Sequence, residues 1–216
     1  MASAKEWDEV LAVSKYLNST YPGDVVAIGG VAIALRTQKS ALAKDLPLEF
    51  THDADFAIAL SAWSDLRESR GAVLNRRLSK AEVKIDSIDV DLYVQRNSKL
   101  RFDFDEIAIG STRTSGVCVA GLEHILLLKL DAYADRKNSE PGRKDRRDII
   151  KTLIMLEKTA PYIAVMSVTE KDMEQLDEIF RSQAFGEITR GNAHLARKLK
   201  NRAAVYLNSL IKEIAT

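Results

Sequence analysis

A single cysteine, Cys118, stands in a chain of 216 residues, so no internal disulfide framework staples the fold, and a reducing compartment is the expected setting. The thiol lies in Gly116-Val117-Cys118-Val119-Ala120 with no basic residue beside it to activate it, which reads as a small buried side chain rather than a nucleophile. Charge of one sign is equally scarce. With 32 lysines and arginines against 31 aspartates and glutamates, the formal net charge is +1, so no global field advertises a nucleic acid or a membrane, and any basic surface has to be local. No apolar run approaches the length that crosses a bilayer. The opening Met1-Ala2-Ser3-Ala4-Lys5-Glu6-Trp7 is too acidic and amphipathic for a signal peptide, so a cytoplasmic protein without a membrane partner is expected. The histidines and the cysteine lack zinc spacing, and there is no nucleophile elbow, internal repeat or low-complexity segment. What remains, 46% hydrophobic and 29% charged residues, is an ordinary globular composition at a length that buries a real core.

Hydrophobic periodicity divides the chain. Trp7, Val10, Leu11, Val13 and Leu17 recur at helical spacing, and Tyr21-Pro22-Gly23 stops that helix. Val25-Val26-Ala27-Ile28 reads as a short buried strand, Gly29-Gly30 ends it, and Val31 to Arg36 reads as a short helix. Residues 37–50 read as a loop or insertion, 52–60 as a second strand, and 61–77 as a helix with Ser64 as its N-cap. Residues 81–95 alternate as a strand, and 106–120 carry two further strand-like runs around Ser111-Thr112-Arg113. From Gly121 the period is helical, with helices expected from 122, from about Lys144 to Lys158, over 167–182 and over 190–214; Ser167-Val168-Thr169-Glu170 has capping-box spacing. The expected class is therefore α/β (α+β): a mixed sheet flanked by helices over residues 1–155, followed by a C-terminal helical subdomain over 156–216.

The chemistry concentrates on the strands. Asp53 and Asp55 in Thr51-His52-Asp53-Ala54-Asp55-Phe56-Ala57-Ile58 are one residue apart, so both carboxylates point to one face, too close to be comfortable without a cation. Asp89 and Asp91 repeat the arrangement in the next strand pattern. Aspartate is depleted in strands, and two such pairs in one short α/β region need a reason. Hard oxygens on one face suit Mg²⁺, which takes one or two carboxylates plus substrate phosphates, and a third carboxylate from a neighbouring strand would complete a two-metal clamp. Asp91 is the preferred third ligand and Asp89 the alternative. Upstream, strand–Gly29–Gly30–helix turns bare backbone N–H groups and a helix N-terminus toward one place, which suits a triphosphate. His52 reads as structural, His124 as a packing or capping residue, and His194 carries no motif.

In this order Ile28-Gly29-Gly30, Asp53-Ala54-Asp55 and Asp91 (or Asp89) resemble the nucleotidyltransferase superfamily, over about residues 24–155. The likeness is nearest to the small bacterial toxin-type, AbiEii-like branch, where Arg36 matches an arginine ahead of the Asp-x-Asp strand. Leu126-Leu127-Leu128-Lys129-Leu130-Asp131, Arg136 and Lys144-Asp145-Arg146-Arg147-Asp148 match a later lysine-bearing helix followed by a Lys-Asp pair. Three features depart from it: no serine follows Gly29, the span from Gly30 to Asp53 is long, and the third acidic position is ambiguous.

The resemblance implies a transferase that moves a nucleoside monophosphate from a nucleoside triphosphate, ATP among them, to a hydroxyl of RNA, protein or a small molecule. It implies two Mg²⁺ ions on Asp53, Asp55 and Asp91, and a triphosphate held by Gly29, Gly30, Arg36, Lys129 and Lys144. A toxin role with an antitoxin partner goes with that branch. Arg136, Lys137, Arg143, Lys144, Arg146, Arg147 and Lys151, with Arg190, Arg197, Lys198, Lys200, Arg202 and Lys212, are the residues that would hold an RNA acceptor by its phosphates. The competing expectation is a catalytically inactive nucleotidyltransferase-like scaffold that binds a nucleotide or a partner.

Overall fold

A computed structural model describes residues 3–216. The chain forms two compact units, one of residues 1–36 and 49–121, the other of residues 37–48 and 122–216. The division at Gly121 puts residues 122–155, which the sequence reading grouped with the sheet, together with the C-terminal helices.

The first unit opens with α1 (Ala4–Thr20). Ser3 and Glu6 cap it reciprocally, each side chain accepting the other's backbone N–H, which satisfies two of the donors a helix start leaves open. Trp7, Val10, Val13 and Leu17 are buried along one stripe, and α1 lays it on the sheet. Strand β1 (Val25–Ile28) is buried throughout and pairs with β2 (Asp53–Ile58) antiparallel and with β7 (Val117–Val119) parallel. Strand β2 pairs in turn with β5 (Ile88–Val94) in parallel, and β5 with β4 (Lys80–Ile85) antiparallel. With β3 (Val73–Asn75) and β6 (Thr112–Thr114) at the edges, the described residues form a seven-stranded mixed sheet in the order β3-β4-β5-β2-β1-β7-β6. Ala54, Phe56 and Ile58, Ala81, Val83 and Ile85, and Val90, Leu92 and Val94 supply one buried face. The mixed α/β class followed by helices is as the periodicity leads one to expect.

Local differences have clear causes. The helix expected over 61–77 is α3 (Leu60–Arg70); Ala59, not Ser64, is its N-cap, and Gly71 at φ +66° ends it in the left-handed region, after which β3 begins. The alternation over 81–95 is two strands, because Asp86 takes a positive φ and reverses the chain, and the buried positions slip from odd (81, 83, 85) to even (88, 90, 92, 94). Residues 104–109 form α4 (Phe104–Ile109), capped reciprocally by Asp103 and Glu106, so the strand-like stretch expected from 106 begins only with β6 at Thr112.

The second unit contains α5 (Leu122–Arg136), α6 (Glu140–Met155), α7 (Tyr162–Ser167), α8 (Glu170–Arg181), α9 (Ala184–Ile188) and α10 (Ala193–Ile214). Helix α6 packs on α5, α8, α9 and α10, and Leu126, Leu130, Ile149, Leu153, Ile179, Leu199 and Tyr206 form its core. Helix α6 starts at Glu140, four residues before Lys144, behind the N-cap Ser139, whose hydroxyl accepts from the Gly142 N–H. Thr169 rather than Ser167 caps α8, through Asp172. Among the described residues no helix is long and apolar enough to cross a membrane.

Candidate active site on the acidic sheet face

The pairing register decides where the strand carboxylates go. Residues opposite one another in a ladder share a face, and neighbouring strands lie about 4.8 Å apart. Asp53 is opposite Asp89 and Asp55 opposite Asp91 across β2 and β5, while Glu82 and Lys84 of β4 are opposite Asp91 and Asp89. Asp53, Asp55, Asp89, Asp91 and Glu82 therefore occupy one face of three adjacent strands, accompanied by Lys80 and Lys84. Each strand needs this alternation because its even or odd partners are committed to the apolar face behind it.

Gly29 adjoins this patch at the end of β1, where Ile28 is opposite Asp55. It sits at φ +61°, and a Cβ built on it would fall 2.2 Å from Asp55 Oδ2, so only a residue without a side chain leaves room for that carboxylate. A Cβ on Gly30 would press the Thr51 side chain at 3.0 Å. The Thr51 hydroxyl donates to Asp53 Oδ1, fixing the first carboxylate at the mouth of β2. Helix α2 (Gly29–Lys39) begins at these two glycines, and the first N–H groups of a helix have no partner within it. The glycines thus let a helix start directly against a carboxylate, a juxtaposition that asks for a cation, a phosphate, or both.

The donor set fits Mg²⁺: all are hard oxygens, two from one strand and a third in register beside them. Among the described residues no three His, Cys, Asp or Glu side chains are gathered so as to enclose a metal by themselves. Mg²⁺ asks for less than such a cage, one or two carboxylates with the remaining positions on water and substrate.

The two candidates for the third carboxylate are not equivalent. Asp89 is 81% exposed, and the Lys84 ammonium is 3.9 Å away. Asp91 is 21% exposed and accepts a hydrogen bond from Lys80 Nζ at 2.6 Å. Burial pushes the Asp91 carboxyl above its ordinary pKa; Lys80 opposes that shift, and the charges of Asp53 and Glu82 add to it. Burial also works against the Lys80 ammonium, yet Asp91 and then Glu82, at 3.3 Å, hold its pKa above the ordinary value. No motif in the sequence marks Lys80; it becomes visible only through the pairing of β4 with β5.

Other expected site residues have structural partners. Arg36 donates to the carbonyls of Ala120 and Val119 and to Thr112 Oγ1, tying α2 to the β6–β7 hairpin, and its burial lowers the guanidinium pKa. In the second unit Lys129 is buried, 2.9 Å from Asp145 and 3.2 Å from Asp148; Arg136 also bonds Asp145 at 2.6 Å, and Lys151 stands 3.7 Å from Asp148. Lys144 is half-buried on α6. Several of the basic residues considered for RNA are matched by carboxylates: Arg146 and Arg147 by Glu187, Lys137 by Glu178, Lys198 by Asp45 and Arg202 by Glu157. His52 lies 3.3 Å from Glu6, and His124 is buried. Cys118 Sγ is 3.0 Å from the Ser111 hydroxyl.

No family model matches the chain, and no curated protein does. Among solved structures it is similar to an antigenic nucleotidyltransferase-like protein from Paracoccidioides brasiliensis, at 17% identity and a TM-score of 0.45, over 93% of this chain and 94% of that one. A likeness this distant says nothing of the chemistry at the acidic face.

Proposed function

We propose that this protein is a Mg²⁺-dependent nucleotidyltransferase that moves a nucleoside monophosphate from a nucleoside triphosphate to a hydroxyl acceptor. The observation that carries the reading is the register that sets Asp91 beside Asp55, with Asp55 in turn beside Gly29 at the start of α2. In it, Asp53 and Asp55 hold the cation and Asp91 completes the set or accepts the proton of the acceptor hydroxyl. The backbone N–H groups at Gly29 and Gly30 receive a phosphate. The acceptor oxygen forms a bond to the α-phosphorus, the bond from that phosphorus to the bridging oxygen breaks, and pyrophosphate leaves. Mg²⁺, when bound, would supply positive charge to phosphate oxygens that grow more negative during transfer. The reading rests on the sheet unit; Arg36 and Lys129, each with protein partners of its own, are not needed for it.

The test is incubation of the protein with each labelled nucleoside triphosphate, Mg²⁺ and separate pools of tRNA, protein and small hydroxyl compounds. Label transfer that falls roughly 10³-fold or more in Asp55→Ala, the scale of a single member of a catalytic unit, supports the reading and names the acceptor class. A toxin role predicts in addition that expression arrests growth and that Asp55→Ala relieves the arrest. The second reading, a scaffold that binds a nucleotide without transferring it, is favoured by one observation: Lys80 already neutralises Asp91. It is chosen if a nucleotide and Mg²⁺ raise the melting temperature while no pool is labelled.

A further inference from the structure

Lys80 is the cation of the acidic face that has two carboxylates within 3.3 Å. Strand β4 lies on the far side of β5 from β2, so Asp91 stands between Lys80 on one flank and Asp55, in register, on the other. The Lys80 side chain is 18% exposed and Asp91 21%, so water screens their attraction only in part. Lys84, the other cation of the face, is 65% exposed and 3.9 Å from Asp89, a distance and exposure at which water does most of the solvating. Asp91 and Glu82 therefore share one well-placed ammonium, held most closely by Asp91, the carboxylate in register with Asp55.

We propose that Lys80 is a built-in counter-ion that holds Asp91 in the cation-free protein and competes with a divalent cation for it. The proposal rests on the reading of Asp53, Asp55 and Asp91 as the cation-binding set. Lys80 then acts through Asp91, as a positioning residue, and releases it when the cation arrives. Two effects of removing the amine follow, and they have opposite signs. The cation-free protein loses stability, because Asp91 and Glu82 lose the ammonium they share, and the cation binds more tightly, because its competitor is gone. A purely structural ion pair gives the first effect without the second. A lysine that instead binds substrate phosphate gives weaker nucleotide binding and unchanged cation binding.

The experiment is titration of the full chain with MgCl₂ or MnCl₂ alone, followed by melting temperature and by calorimetry, for the wild type, Lys80→Gln, Lys80→Arg and Lys84→Gln. The expected result is a lower melting temperature for Lys80→Gln in EDTA together with an apparent Kd for the metal that falls roughly three- to tenfold, the scale on which one nearby charge acts across a partly wet site. Lys80→Arg keeps the wild-type pattern, and Lys84→Gln moves the metal Kd by less than about twofold, as expected for a screened surface charge. Should Lys80→Gln not fold, Lys80→Met, which keeps the aliphatic stem, is titrated in its place. Metal binding that is unchanged or weaker in the Lys80 variant, with the wild type binding normally, overturns the counter-ion role and leaves the proposed function standing. Equal tightening in Lys84→Gln overturns it too, since the effect is then one of bulk charge. A wild type that binds no metal at any concentration overturns the cation-binding set itself, and the Lys80 proposal with it.

Discussion

Two groups of charged side chains in this protein are treated in opposite ways. On the sheet, Asp53, Asp55, Asp89, Asp91 and Glu82 share a face of β2, β4 and β5 with Lys80 and Lys84, and the carboxylates are exposed or half-buried. In the helical unit, Asp145 and Asp148 are almost fully buried, and Lys129, Arg136 and Lys151 stand against them. A buried carboxylate without cations is prohibitively costly, so the second group had to arrive with its partners to fold at all. An exposed one can remain undercompensated because water solvates it, at the cost of mutual repulsion. The carboxylates of the sheet thus stay in reach of water, whereas Asp145 and Asp148 are enclosed with cations of their own. That difference, more than the mere presence of acidic residues, separates a candidate site from a structural cluster.

The largest effect should come from breaking the compensated group. Asp145→Ala leaves Lys129 and Arg136 facing a buried gap and is expected to cost about 3–5 kcal/mol, read from urea unfolding of the two proteins. The same cluster gives a pH dependence. Burial works to raise the Asp145 carboxyl, but Arg136 and Lys129 outweigh it and hold the pKa below its ordinary value. A depressed folded-state pKa means stability that is present above the ordinary carboxylate range and lost as pH falls through the lower folded-state value. Stability of the wild type should therefore decline below about pH 4, and Asp145→Asn should show a shallower decline. A variant as acid-sensitive as the wild type would place the titrating groups elsewhere.

Next in size is Gly29→Ala. The left-handed φ alone costs about 1–2 kcal/mol in a residue with a Cβ, and at 2.2 Å from the new methyl the Asp55 carboxylate has to move. Gly71, at a similar φ but with nothing within 4 Å of a built Cβ, is the control. Gly71→Ala should share the backbone strain but leave any stabilisation by Mg²⁺ intact, while Gly29→Ala should reduce it. Equal loss of the metal response in both variants would reduce the role of Gly29 to that of a turn residue.

Much of this was legible in the chain and some was not, for reasons that attach to particular residues. The i, i+2 spacing places Asp53 and Asp55 on one face wherever a strand forms, so their juxtaposition follows from geometry alone. The junction of β1 and α2 is likewise announced by Val25 to Ile28 followed by two glycines. The end of α3 at Gly71 was equally present in the sequence, and a helix reading that ran through it to Arg77 gave periodicity too much weight and a glycine too little. So was the turn at Asp86, in the slip of the buried positions between Ile85 and Ile88. Lys80 is a different case: it lies 11 residues from Asp91, and only the β4–β5 hairpin brings the two together. Likewise nothing local distinguishes Lys129 as buried between two carboxylates, because Asp145 and Asp148 reach it from the next helix.

The smallest expected difference is also the one that resolves the choice of third carboxylate. Asp89 and Asp91 have the same charge, the same strand and the same face, and differ in exposure and in Lys80. Removing Asp91 leaves Lys80 with Glu82 alone, at a cost of about 1 kcal/mol or less once solvent screening is counted. Removing Asp89 disturbs an 81% exposed side chain with a distant partner and should leave unfolding unchanged within error. Against the metal the two should diverge more. Asp91→Asn is expected to weaken Mg²⁺ binding by roughly tenfold or more, and Asp89→Asn by less than about twofold, as for a screened charge outside the ligand set. If both weaken it equally, the metal is attracted by the summed charge of the face rather than held by chosen ligands, and the contrast with the buried cluster is one of net charge alone.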